Sequence, residues 1–176
     1  LVVRGEAFIR RSDFEQLNAK LAEKGEKTYL NPRNTAAGSL RQLDSAAVAS
    51  RPLTMYAYAI ITAEGEIPNT QWGVLEYLSA LGFPVSDLSR FAENMESAIE
   101  ETLKWETLRN EIDFEVDGVV IKINESQIAN DLGIVGKDPR GAIAFKFPAQ
   151  EEVTMLNEIR VNVGRTGVLT PYAVLE

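Results

Sequence analysis

Neither cysteine nor histidine occurs anywhere in the 176 residues. Without thiols there is no disulfide, no iron–sulfur cluster and no thiolate zinc site. Without imidazole the chain lacks the usual general base and the commonest metal ligand. Its chemistry must come from Lys, Arg, Asp, Glu, hydroxyls and backbone. Long apolar runs are missing too: none approaches the ~18 residues of a membrane-spanning helix. The opening Leu1-Val2-Val3-Arg4 has no basic leader and no extended apolar stretch, so it does not read as a signal peptide. It has no initiator Met and starts inside a strand-like pattern, and Leu175-Glu176 ends as abruptly. The chain therefore reads as a segment of something longer.

What is present describes a soluble globular protein, 45% hydrophobic and 25% charged. The length suits one domain and the beginning of a second. A compact chain of this size hides about 70% of its unfolded surface, so a substantial core is expected. The net charge of −8 argues against nucleic acid if taken alone. Its distribution changes that. Residues 1–60 carry nine basic and six acidic side chains, residues 61–120 three and thirteen, and residues 121–176 six and seven. The acidity sits in the middle third, and both ends can hold local anion sites.

Strands are expected over Leu1–Arg10, Leu53–Ala63, Phe114–Asn124 and Gly141–Phe147, where β-formers concentrate. Two more, over 153–164 and 168–175, flank Gly164-Arg165-Thr166-Gly167. Ser12 followed by Glu15 predicts a capping box opening a helix that Gly25 closes. Residues 35–43 are helical in composition, capped by Asn34 or Thr35, and residues 46–50 form a small-residue turn. Thr70 should cap a helix carrying Trp72, Leu75, Leu78 and Leu81. Asn94 should cap a long acidic helix to about Arg109, with Ile99, Leu103 and Trp105 as its apolar positions. A short helix lies near 126–132. Pro148 and the polar 150–152 stretch form the best linker. The mixture lacks a β-α-β rhythm, which predicts an α+β fold with antiparallel sheets and flanking helices.

Several constellations can carry chemistry. Ala142, Ala144 and Lys146 share one strand face, a floor of small side chains with an ammonium at its end; the same pattern also describes a solvated edge-strand lysine. Gly118, Val120 and Lys122 share a face, with Asp117 on the opposite one. If Asp117 and Lys122 serve one site, a bulge or bend at Gly118 should re-aim the aspartate; otherwise Asp117 is a turn residue. In Arg4-Gly5-Glu6 the glycine permits close approach and the carboxylate can accept two ribose hydroxyls; an ordinary exposed Glu fits equally. The stretch from Asn31 to Asp44 sets Arg33 before a helix start and Arg41 about two turns in. Ala36, Ala37 and Gly38 lie between them, an arrangement suited to phosphate or to a surface helix with salt-bridged arginines. Arg165 and Thr166 occupy a hairpin tip that can touch a phosphate backbone or be a plain turn. Trp72 and Trp105, at helical spacing with leucines, read as packing residues. Glu96, Glu100, Glu101 and Glu106 read as a solvated face.

Taken in order, these segments resemble the NAD⁺-dependent DNA ligases of bacteria. The match runs through Arg4-Gly5-Glu6, Asn31 to Asp44, Asp117 to Lys122, Ala144 to Pro148, Val163 to Gly167 and Thr170-Pro171. The Asn31–Asp44 stretch is specific to that family; ATP-dependent ligases and capping enzymes share only the shorter motifs. The resemblance implies a nucleotidyltransferase (ATP-grasp-like) ligase catalytic domain over residues 1–149, and the first strands of an OB-fold over 150–176. It also implies an enzyme that seals nicks in duplex DNA through lysyl-AMP and DNA-adenylate intermediates. NAD⁺ would be consumed, with Mg²⁺ or Mn²⁺ assisting and zinc confined to a cysteine-bearing downstream module. A bacterial cytoplasmic monomer with no membrane partner is implied.

Carried over by position, Glu6 would hold the AMP ribose, while Lys122 and Lys146 would contact the adenylate, Lys146 at its phosphate. Asp117 would act as an essential carboxylate near metal-bound waters, without ligating metal directly. Arg33, Arg41 and Arg109 would serve the nucleotide phosphates and the nicked strand, with Arg33 and Arg41 open to either. Arg165 with Thr166 would meet DNA. One element departs from the family. Its nucleophile lies in a Lys-x-Asp-Gly motif that precedes Arg-Gly-Glu, and the closest text here is Glu115-Val116-Asp117-Gly118. The expectation is therefore a chain unable to adenylate itself, with Glu6, Lys122 and Lys146 pointing into one cavity. The competing reading is a non-catalytic nucleic-acid-binding module derived from a ligase domain.

Overall fold

The computed structural model describes residues 1–149 and 151–176. Residue 150, the first residue of the expected second domain, lies outside the described residues. Strand β1 (Val2–Phe8) leads through helices α1 (Arg11–Glu23), α2 (Pro32–Leu40) and α3 (Ser45–Ala49) to β2 (Thr54–Thr62), its antiparallel partner. Helices α4 (Gln71–Ala80) and α5 (Met95–Leu108) follow. Strand β3 (Gly118–Lys122) pairs antiparallel with β6 (Ala142–Lys146). Between them run α6 (Ser126–Asp131) and a small ribbon, β4 (Ile134–Val135) with β5 (Asp138–Pro139). Strands β7 (Leu156–Val163) and β8 (Leu169–Leu175) form a hairpin. The result is the expected mixture of helices and small antiparallel sheets. No helix among the described residues is long and apolar enough to cross a membrane.

The core lies between β2 and α4. Ala57, Val74 and Leu78 are buried there, with Val3, Ile60, Phe83 and Val85 packed around them. Thr70 caps α4 by accepting from the Gly73 N–H at 3.1 Å, which puts Val74 and Leu78 one turn apart on the face toward β2. Beyond this cluster burial is sparse, and the expected substantial core is corrected. The accessible surface is 13328 Å², where a compact monomer of this mass exposes about 8,500 Å². Roughly half of the unfolded surface is hidden rather than about 70%. Helix α5 shows this locally. Asn94 caps it as expected and Ser97 completes a capping box, yet Ile99 is 49% and Leu103 54% exposed. The buried residue is Thr102, whose hydroxyl donates to the Ala98 carbonyl at 2.8 Å.

Three helix starts differ from the sequence reading. Helix α1 begins at Arg11 and no side chain of its own caps it. Asp113, far along the chain, takes that role: its carboxylate accepts from the Ser12 N–H at 3.0 Å and the Ser12 hydroxyl at 2.6 Å. The Ser12–Glu15 capping box is thus replaced by a tertiary cap. Helix α2 starts at Pro32, capped by Asn31, which accepts from the Asn34 N–H at 2.9 Å. Proline at the first helical position loses no hydrogen bond. Arg33 consequently lies inside the first turn rather than before it, and Arg41, about two turns in as expected, is the C-cap residue. Residues 45–49, expected as a turn, form a short helix because Asp44 accepts from Ala46 and Ala47 N–H.

Candidate functional site

Register brings the two lysine strands together. In the β3–β6 pair Gly118 lies opposite Lys146, Val120 opposite Ala144, and Lys122 opposite Ala142. Residues directly opposite in an antiparallel pair share a face. The two faces read separately from sequence are therefore one face of one ribbon, with Lys122 at one end and Lys146 at the other. Four residues separate them along β6, about 14 Å of strand. Gly118 is required by this approach: a Cβ there would stand 2.2 Å from the Phe145 carbonyl oxygen. Gly5 plays the same part in β1, where a Cβ would come within 2.6 Å of the Tyr56 carbonyl oxygen.

At the Lys146 end, Lys146 Nζ donates to Asp117 Oδ1 at 2.8 Å. No bulge interrupts the β3–β6 register. Asp117 reaches the lysine face because it precedes the first paired residue, and its carbonyl accepts from the Phe147 N–H at 2.9 Å. The hydrogen bond from Lys146 holds the Asp117 carboxyl below the usual carboxylate range; partial burial opposes this, and the charges of Lys146 and Arg33 add to it. Arg33 is thus within electrostatic reach of Asp117. Arg109 closes the same region from α5: its guanidinium donates to the Pro148 carbonyl at 3.0 Å and lies 5.7 Å over the Phe147 ring.

The Lys122 end differs in character. Lys122 is half-buried, its ammonium sits 4.8 Å from the Tyr58 ring centroid, and burial pushes its pKa down. Glu6 is exposed on β1 opposite Tyr56 and makes no hydrogen bond or ion pair among the described residues. The single cavity expected around Glu6, Lys122 and Lys146 is corrected to an open face. Val120 is 59% exposed and the Lys146 side chain 64%. A cleft of about 430 Å³ lies elsewhere, among Arg10, Tyr56, Trp105, Leu108, Asp113 and Phe114.

Arg41 is exposed at the end of α2. Arg165 and Thr166 occupy the tip of the β7–β8 hairpin, whose loop closes through Gly167 at φ 79°. Trp72 and Trp105 are half-buried, Trp72 donating to Glu76 at 2.8 Å. Among the described residues no three Asp or Glu side chains converge as a metal cage. A single ionised carboxylate such as Asp117 fits the donor set by which Mg²⁺ is commonly held, one or two carboxylates completed by waters. Tyr58 escaped the sequence reading. The bulge that places it breaks the strand's two-residue period, and the only signal was an aromatic strand containing both Tyr56 and Tyr58.

A family model described as the NAD-dependent DNA ligase adenylation domain matches residues 1–150. The chain belongs to this family. Full-length relatives agree. The DNA ligase of Roseiflexus castenholzii is 53% identical over 176 residues, all of this chain and 24% of the relative. That of Chloroflexus aurantiacus is 53% identical over 175 residues, 99% of this chain and 24% of the relative. That of Halothermothrix orenii is 47% identical over 174 residues, 99% of this chain and 26% of the relative. The chain thus spans about a quarter of the length of the curated relatives it matches.

Proposed function

We propose that the chain is part of an NAD⁺-dependent DNA ligase and forms the adenylate-facing portion of its nucleotidyltransferase domain. Residues 1–149 belong to that domain in this reading, and 150–176 are the first strands of an OB-fold. The observation that carries it is the single face of the β3–β6 ribbon. That face holds Lys122 and Lys146, with Asp117 and Arg33 gathered at the Lys146 end.

The reaction is phosphoryl transfer: an enzyme lysine takes AMP from NAD⁺, releasing nicotinamide mononucleotide; the 5′-phosphate of a nick then takes the AMP, freeing the lysine; and AMP leaves when the 3′-hydroxyl attacks that phosphate. Such steps depend on positioning and charge neutralisation and need no histidine. Lys146 is the point charge for the adenylate phosphate; on binding it exchanges the Asp117 carboxylate for phosphate oxygens. Asp117 stays ionised at neutral pH and would hold Mg²⁺ through its waters, the ion supplying further neutralisation at the phosphates. Glu6 has free acceptor oxygens for the two ribose hydroxyls. Lys122 approaches the nucleotide from the drier end of the face. Arg109, with one N–H used on Pro148, keeps others for phosphate. Arg33 and Arg41 bracket α2 and serve nucleotide or nicked strand, and Arg165 with Thr166 meets the DNA backbone.

The sequence contains no Lys-x-Asp-Gly, so this chain forms no lysyl-adenylate of its own. Adenylyl-labelled NAD⁺ and labelled ATP, each with Mg²⁺, test both statements on the chain and on its intact source protein. Label on the intact protein from NAD⁺ only, and none on the chain, is expected. An adduct on the chain overturns the missing nucleophile. No label on the intact protein from either donor overturns the enzyme reading in favour of a nucleic-acid-binding module.

A further inference from the structure

In the Lys122–Tyr58 pair, Lys122 is held by its own sheet, opposite Ala142, whereas Tyr58 is not. On β2, Ala57 pairs with Gly5 and Ala59 with Arg4, which leaves Tyr58 as the bulge residue without a ladder partner. Lys122 is the last residue of β3. Both segments are also tied to the start of α4. Gln71 Nε2 donates to the Tyr58 carbonyl at 3.0 Å. The Gln71 backbone N–H donates to the Asn124 carbonyl, two residues past Lys122, at 2.7 Å. The Trp72 N–H donates to Asn124 Oδ1 at 3.0 Å. The Ser126 N–H donates to the Asn69 carbonyl at 2.9 Å, and Thr70 bridges Glu125.

One residue therefore grips both strands, by its side chain on the Tyr58 side and by its backbone on the Lys122 side. We infer that Gln71 is a positioning residue: it sets the gap between the Tyr58 ring and the Lys122 ammonium, and through it the affinity of this end of the site for an adenine nucleotide. The inference rests on the reading that Lys122 contacts the adenylate. The physical basis is specific. A bulge carbonyl released from Gln71 has no strand partner to return to, so the backbone under Tyr58 is free to rotate and carry the ring off the lysine. The backbone link to Asn124 survives any side-chain change, so β3 keeps its place and only the ring moves.

The test uses the 176-residue chain with AMP as the probe. Gln71→Met keeps length and removes the donor. Gln71→Glu keeps length and polarity but, ionised, cannot donate to a carbonyl. Both are expected to weaken AMP binding about three- to tenfold, the effect of one lost hydrogen bond. Both should also lose the nuclear Overhauser effect between Lys122 ε-methylene and Tyr58 ring protons, while amide resonances away from residues 56–60 and 69–72 stay in place. Wild-type affinity, or a retained Overhauser effect, in either variant overturns the inference. So does weakened binding accompanied by global loss of amide dispersion in Gln71→Met with normal behaviour of Gln71→Glu, since polarity rather than donation would then be sufficient. Lys122→Ala separates the two levels. If it leaves AMP affinity unchanged, the adenylate reading fails, and the Overhauser measurement still decides whether Gln71 places the ring.

Discussion

Lys122 is stable in the wrong direction for a structural residue. Burial lowers its pKa, so its charged form is less favourable in the fold than in the unfolded chain. The sign follows directly. Between the lowered folded pKa and the ordinary value near 10.4 the unfolded state binds more protons, so stability rises with pH there, and at neutral pH the charge is a net cost. The Tyr58 ring offsets part of it, about 0.5–1 kcal/mol. Lys122→Met is therefore expected to raise the melting temperature while weakening AMP binding, a pairing that calorimetry and titration check together and that marks a functional residue. A lower melting temperature would make Lys122 a packing residue. Asp117 behaves oppositely. Its lowered pKa contributes stability that is complete above about pH 5 and lost as pH falls through the folded value. The pair is mostly exposed, so the contribution is about 0–1 kcal/mol. In Lys146→Ala the Asp117 carboxyl should titrate higher than in wild type, having lost the hydrogen bond and charge of Lys146, as carboxyl carbon shifts against pH would show. Both lysines were legible because a two-residue period needs only the strand. Their union on one face was not, because register belongs to the pair.

Among the elements, local signals succeeded where the cap is local. Thr70 and Asn94 cap α4 and α5 from adjacent residues, and both were readable. The cap of α1 comes from Asp113, about a hundred residues away, and no window on Ser12 contains it. Hydrogen bonds from Ser12, side chain first, hold the Asp113 carboxyl below its usual range. Asp113→Ala should accordingly lower the melting temperature at pH 7. The difference from wild type should vanish as pH falls below the Asp113 folded value, and it should be constant above about pH 5. Glycines give a second contrast. Gly118→Ala forces a Cβ against a strand carbonyl at 2.2 Å and should destabilise by about 1–3 kcal/mol. Gly38, inside α2, has open space where a Cβ would go, so Gly38→Ala should stabilise by about 0.5–1 kcal/mol. Urea unfolding of the two variants should move the midpoint in opposite directions. The sequence shows one glycine after Asp117 and another between Ala37 and Ser39; only the neighbouring backbone distinguishes the one that a strand requires from the one left open on a helix face.

At the scale of the molecule, the hairpin β7–β8 explains most about the missing core. Pairing places Ile159 opposite Ala173, Val161 opposite Pro171 and Val163 opposite Leu169, an all-apolar face. Arg160 opposite Tyr172 and Asn162 opposite Thr170 make the other. A sheet with that alternation is built to bury one side. Here both sides are open: within 151–176 every residue except Val174 is exposed, Ile159 by 65% and Val163 by 71%. An unclosed, apolar two-stranded sheet is marginal on its own and offers its edges to other strands. The isolated chain is therefore expected to self-associate. Sedimentation velocity at rising concentration should show a growing weight-average coefficient, and Val161→Lys, which sets a charge in the middle of the apolar face, should suppress it. An unchanged concentration dependence in Val161→Lys would move the association to the uncovered β3–β6 face. That outcome has a consequence for the site, because a face closed by self-association cannot receive AMP. Nucleotide affinity would then fall as protein concentration rises, whereas association through the hairpin leaves it constant.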